Sequence, residues 1–168
     1  MKKFALGILM MFLAGCATGS DNASEYSSND LMFSAMMVPH HEQAIVMSDL
    51  ALKNSSNPEV IKLATEIKKA QAPEIEQMKS WGDLGTGSHA GHGMSGMLSD
   101  DELKELESAT GPEFDTLFLT GMIKHHEGAI DMAKMVTDSR NQEVSTLAKQ
   151  IINAQQAEIE SMKKLLKP

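Results

Sequence analysis

The chain has 168 residues, enough for one domain with its own core. Fifteen basic against 23 acidic residues leave a net charge of −8, which excludes a nucleic-acid-binding surface, since phosphates demand the opposite sign. Only 4% of the residues are aromatic while 14 are methionine, so thioethers and aliphatic side chains must build the core.

Residues 1–15 read as an export signal. Lys2 and Lys3 precede an apolar run from Phe4 to Leu13, and small residues then lead to Cys16, the only cysteine. A spanning helix needs about 20 apolar residues, so this run is too short to cross a membrane. The sequence Leu13-Ala14-Gly15-Cys16 resembles the lipobox of bacterial lipoproteins, in which the cysteine is lipidated and becomes the new N-terminus. A lone cysteine cannot form an internal disulfide, which suits that role. The expected location is the cell envelope, anchored through Cys16. Residues 16–29, rich in Ser, Asn and Asp, then read as a flexible tether.

Residues 30–168 are expected to form one all-α, four-helix metal-binding domain, divided into a hairpin (30–81), a His/Met-rich linker (82–112) and a second hairpin (113–168). A first helix is predicted from Asp30 or Ser34 to about Leu52, where Asn54-Ser55-Ser56-Asn57-Pro58 breaks it. A second runs from about Glu59 to Trp81, with Val60, Leu63, Ala64, Ile67, Ala70, Gln71, Glu74 and Met78 on one stripe. Ser99-Asp100-Asp101-Glu102 caps a short linker helix ending before Gly111-Pro112. The last two helices are predicted over about Glu113–Val136 and Glu143–Leu166, with a turn around Asp138-Ser139-Arg140-Asn141.

The two hairpins are copies of one another. When His40-His41 is set against His125-His126, Phe33 matches Phe118, Met37 matches Met122, and Glu42, Ala44, Ile45 and Met47 match Glu127, Ala129, Ile130 and Met132. After a one-residue gap in the turn, Leu63-Ala64, Ile67, Ala70-Gln71, Glu74-Ile75-Glu76 and Met78-Lys79 match Leu147-Ala148, Ile151, Ala154-Gln155, Glu158-Ile159-Glu160 and Met162-Lys163. Two such hairpins make an antiparallel four-helix bundle.

Advancing 100° per residue from Met37 places His40 at about −60°, His41 at about +40° and Met47 at about −80°, all on the apolar face; Glu42 falls at about 140°, toward solvent or a neighbouring helix. His125, His126, Met122 and Met132 occupy the same angles in the second copy. Equal rise along antiparallel helices sets His41 opposite about Ala70-Gln71 and Met37 opposite about Glu74. The same construction sets His125 and His126 near Gln155-Gln156 and Met122 near Glu158-Ile159. Polar side chains inside a small bundle are costly unless partnered, so the four histidines with Gln71, Glu74, Gln155 and Glu158 predict a metal site or a hydrogen-bonded network oriented for one. Pro39, where the second copy has Lys124, removes a hydrogen bond to the Ala35 carbonyl and is expected to kink the helix.

Imidazole with thioether favours copper, and methionine biases the choice toward Cu(I). His89, His92, Met94 and Met97 in the linker form a second candidate set. Met78, Met135 and Met162 are expected to pack in the core.

The segments from Met37 to Met47 and from Phe114 to Ala133 resemble a bacterial envelope family known as a domain of unknown function, whose members include CopM-type periplasmic copper-binding proteins. The resemblance covers about residues 30–166. It implies a ferritin-like helical bundle and, for the copper-binding branch, sequestration or tolerance of copper through His40, His41, Met37, Met47, His125, His126, Met122 and Met132. The leading expectation is a non-enzymatic copper binder that buffers the ion or hands it to a partner. Two alternatives stand beside it: a ferritin-like metal-dependent oxidoreductase with Glu74 and Glu158 as ligands, and a metal-free helical scaffold. The Glu-x-x-His motif usual in di-iron bundles does not occur.

Overall fold

The computed structural model describes residues 25–82 and 94–167. The expected export signal, the candidate lipidation position Cys16, most of the expected tether, and His89 and His92 lie outside the described residues. Among the described residues five helices follow in order: α1 (Ser28–Asn54), α2 (Pro58–Lys79), α3 (Asp100–Ser108), α4 (Gly111–Lys134) and α5 (Gln142–Leu165). None is long and apolar enough to cross a membrane.

The helix starts are written in the capping chemistry. Ser27 and Asp30 form a capping box at α1, and Ser99 and Glu102 form another at α3. Asn57 accepts from the Glu59 amide at the start of α2, and the equivalent Asn141 accepts from Glu143 and Val144 at α5. At α4 the Thr110 side chain makes no such bond; Gly111 at φ +60° and Pro112 begin that helix. Helix α1 continues through Pro39 to Asn54.

Helices α1 and α2 form one antiparallel hairpin, α4 and α5 the other, and the main contact between hairpins is α1 on α4, with α2 and α5 meeting more sparsely. The core is in two parts. One contains Met47, Val60, Leu63, Ile67, Phe114, Phe118, Met122 and Met162, while the other contains Phe33, Met37, Ile75, Met78, Met132, Val144, Leu147 and Ile151. Met47 of α1 thus shares a cluster with Met122 of α4, and Met37 with Met132, so α1 and α4 run antiparallel. The buried polar residues His40, His41, Gln71, His125, His126 and Gln155 belong to neither cluster.

Candidate metal centre

Each histidine pair lies on the inner face of its helix, and all four imidazoles have no solvent exposure. The rings of His40 and His125 face each other across the α1–α4 contact with centroids 3.8 Å apart, and His126 follows at 6.2 Å from His125. The two copies of the motif therefore meet in the middle of the bundle.

Every Nε2 has an acceptor. His41 donates to Glu74 at 2.9 Å and His126 to Glu158 at 2.7 Å, the same contact in each copy. His125 donates to the main-chain carbonyl of His40 at 2.9 Å, whereas His40 donates to the carbonyl of Ser95 at 3.1 Å. A carbonyl cannot donate, so the proton of His40 and of His125 sits on Nε2. The partner of His41 is Glu74, one helical turn beyond the predicted Ala70-Gln71 level. Helical side chains lean toward the N-terminus of their own helix, and in an antiparallel hairpin that direction leads to the C-terminal part of α2.

None of the four Nδ1 atoms has a hydrogen-bond partner among the described residues, and the same holds for both amide atoms of Gln71 and of Gln155. A buried polar atom without a partner costs about 1–3 kcal/mol, and such atoms in native proteins call for an explanation. With Nε2–H committed to an acceptor, an unprotonated ring keeps its Nδ1 lone pair free, which is the state in which histidine ligates a metal.

Burial keeps the inner rings neutral. His40 is pushed down from 6.5 to about 3, first by desolvation and then by the nearby His41, with the Ser95 carbonyl opposing. His125 lies well below 6.5, again first through desolvation, with His40, His126 and His41 adding to the effect. Ligand histidines must be unprotonated, so burial meets one requirement of binding in advance.

Met37, Met47 and Met122 are fully buried and Met132 is 7% exposed, two of these thioethers in each apolar cluster. Among the described residues, no three His, Cys, Asp or Glu side chains are gathered closely enough to hold a metal by themselves. Imidazole and carboxylate therefore do not make a preformed cage, and a donor set must draw on sulfur or on closure of the rings around the ion. The free Nδ1 atoms and buried thioethers suit a soft cation.

The remaining candidates are dispersed. Met94 and Met97 are half-buried on the segment that crosses α4, and Glu42 faces solvent, paired with Lys79 at 2.9 Å. Met78 and Met162 pack in the core as expected, but Met135 is 51% exposed: α4 ends at Lys134, and the following turn carries the side chain outward. The Ser95 carbonyl, a partner of His40, had no side-chain pattern to announce it.

Comparison with known proteins places this architecture. No curated protein matches the chain. A solved structure from Streptomyces coelicolor, named as a candidate secreted protein, superposes with a TM-score of 0.77 at 32% identity, covering 86% of this chain and 94% of the other. CopM in its Cu(I)-bound form superposes with a TM-score of 0.69 at 34% identity, and in its Cu(II)-bound form with 0.69 at 37% identity; both cover 81% of this chain and 94% of CopM. Residues 30–166 match the family model described as "Domain of unknown function (DUF305)", and the chain belongs to that family.

Proposed function

We propose that this protein is a lipid-anchored envelope protein that binds copper, Cu(I) in preference to Cu(II), and that it sequesters or buffers the ion without catalysing a reaction. The observation that carries this reading is the set of four buried imidazoles whose Nε2 atoms are committed and whose Nδ1 atoms are free. His40, His41, His125 and His126 would supply nitrogen, and Met37, Met47, Met122 and Met132 the soft sulfur that favours the reduced ion. Glu74 and Glu158 would orient the outer rings from behind. The two structures of CopM with copper support the choice of metal by kinship. Localisation rests on the N-terminal sequence, and His89, His92, Met94 and Met97 would serve as a secondary capture site.

The test is anaerobic competition of the mature protein against a chromophoric Cu(I) chelator, beside a variant with all four histidines changed to alanine. The expected result is tight Cu(I) binding by the parent and its loss in the variant. Equal affinity of the two proteins would sink the proposal. The oxidoreductase alternative draws support from the two His–Glu contacts, and iron-dependent oxygen consumption is the measurement that would favour it.

A further inference from the structure

At one of the aligned positions where the copies differ, both members touch the same piece of linker. Gln43 in the first copy corresponds to Gly128 in the second. The Gln43 side chain is buried and clasps the Leu98 backbone twice: Nε2 donates to the Leu98 carbonyl at 2.9 Å, and Oε1 accepts from the Leu98 amide at 2.8 Å. At Gly128 a Cβ would lie 1.9 Å from the Ser95 carbonyl oxygen and 3.0 Å from the Cα of Gly96. Only glycine allows the strap to lie so close to α4.

Gly96 meets the same demand from the other side. Its φ of +87° disfavours any side chain, and a Cβ there would lie 2.5 Å from the Lys124 carbonyl. Leu98 then turns its side chain over Gly121, where a Cβ would be 3.3 Å from both methyl groups. The strap is thus clasped by α1 and seated on glycine in α4. What it delivers to the interior is the Ser95 carbonyl, the acceptor for His40 Nε2 at 3.1 Å.

We propose that Gln43, Gly96 and Gly128 are positioning residues: they seat the Ser95–Leu98 strap so that the Ser95 carbonyl fixes the His40 ring with Nδ1 as its ligating nitrogen. His41 and His126 have a carboxylate for this purpose, and His125 has the main chain of α1. His40 alone depends on a segment outside the four long helices. The ligating role rests on the copper reading above; the fixing of the ring does not.

The experiment compares the metal-free mature chain with Gln43→Ala and Gly128→Ala, using long-range proton–nitrogen correlation of the imidazoles to read each tautomer. The parent is expected to show His40 with its proton on Nε2, and both variants a mixture of Nε2–H and Nδ1–H at His40. The His126 signal, held by Glu158, should stay unchanged and so reports an intact bundle. Cu(I) competition should then show affinity lowered about 10–100-fold in the variants, the usual range for loss of a group that orients a ligand. A His40 that stays wholly Nε2–H in Gln43→Ala overturns the proposal, and so does a changed tautomer with unchanged Cu(I) affinity. Should Gly128→Ala fail to fold, Gln43→Ala decides alone. Absence of Cu(I) binding by the parent would defeat the copper reading, while the tautomer comparison would still decide whether the strap fixes the ring.

Discussion

In the first hairpin His41 donates to Glu74 at 2.9 Å, and in the second His126 donates to Glu158 at 2.7 Å. The inner histidines part company: His125 is held by the main chain of α1, while His40 is held by a carbonyl from the linker. Duplication has kept the His–Glu contact within each hairpin, and the histidines lose equivalence where the two hairpins and the linker meet. A contact inside one unit needs only that unit's sequence, whereas a contact across the junction must satisfy two neighbours and has room for one strap.

If the halves are equivalent in their interiors, Phe33 and Phe118 should be equally important. Both are fully buried, one in each apolar cluster. Phe33→Ala and Phe118→Ala should each destabilise the protein by about 3–5 kcal/mol in urea unfolding. A cost confined to one of them would show that one hairpin carries the fold.

The inner pair should dominate the acid sensitivity of the metal-free protein. Because His40 is pushed down from 6.5 to about 3, the unfolded chain binds more protons than the folded one between those values. Stability should therefore be complete above about pH 6.5 and fall as the pH drops toward about 3. The expected slope is about 1.4 kcal/mol per pH unit for each such histidine, as an upper bound. Urea unfolding of His40→Leu across that range should show a shallower slope, and an unchanged slope would assign the effect elsewhere.

The outer pair offers the sharpest test of equivalence. Glu74→Gln and Glu158→Gln should each lower Cu(I) affinity about 10–100-fold, by the same factor. Unequal losses would mean that the two His–Glu contacts, alike in geometry, serve different sites. At the smallest end, Glu42→Ala and Glu127→Ala should leave the melting temperature unchanged. The Glu42–Lys79 pair is open to solvent, and pairs of that kind contribute little.

Much of this was legible because the relevant signals are local. The Asn54–Pro58 break and the Ser99-x-x-Glu102 cap place the starts of α2 and α3 to within about two residues, whereas α1, expected from Asp30 or Ser34, begins earlier at Ser28 behind a Ser27–Asp30 capping box; helical spacing put the histidines inside. Glu74 belongs to the expected polar network but meets His41 one turn from the Ala70-Gln71 level, since level-by-level alignment ignores the direction in which helical side chains lean. Met135 was misjudged because being apolar does not guarantee burial at the end of a helix. The Ser95 carbonyl lies beyond sequence reading, as every residue has a carbonyl. A signal for its seat was nevertheless present: at an otherwise well-matched stretch of the repeat, glutamine stands opposite glycine.

The polar layer between the two apolar clusters also acts as an alignment key. Sliding one hairpin past the other by a single turn would move its helices by about 5.4 Å. The slipped pairing would still bury comparable hydrocarbon, because methionine adapts to many neighbours. It would, however, take His125 off the His40 carbonyl and leave that buried N–H unanswered, while the His–Glu contacts within each hairpin persist. The same groups that weaken the core as a hydrophobic interior therefore select one register from several of similar packing energy, much as a buried asparagine selects register in a coiled coil.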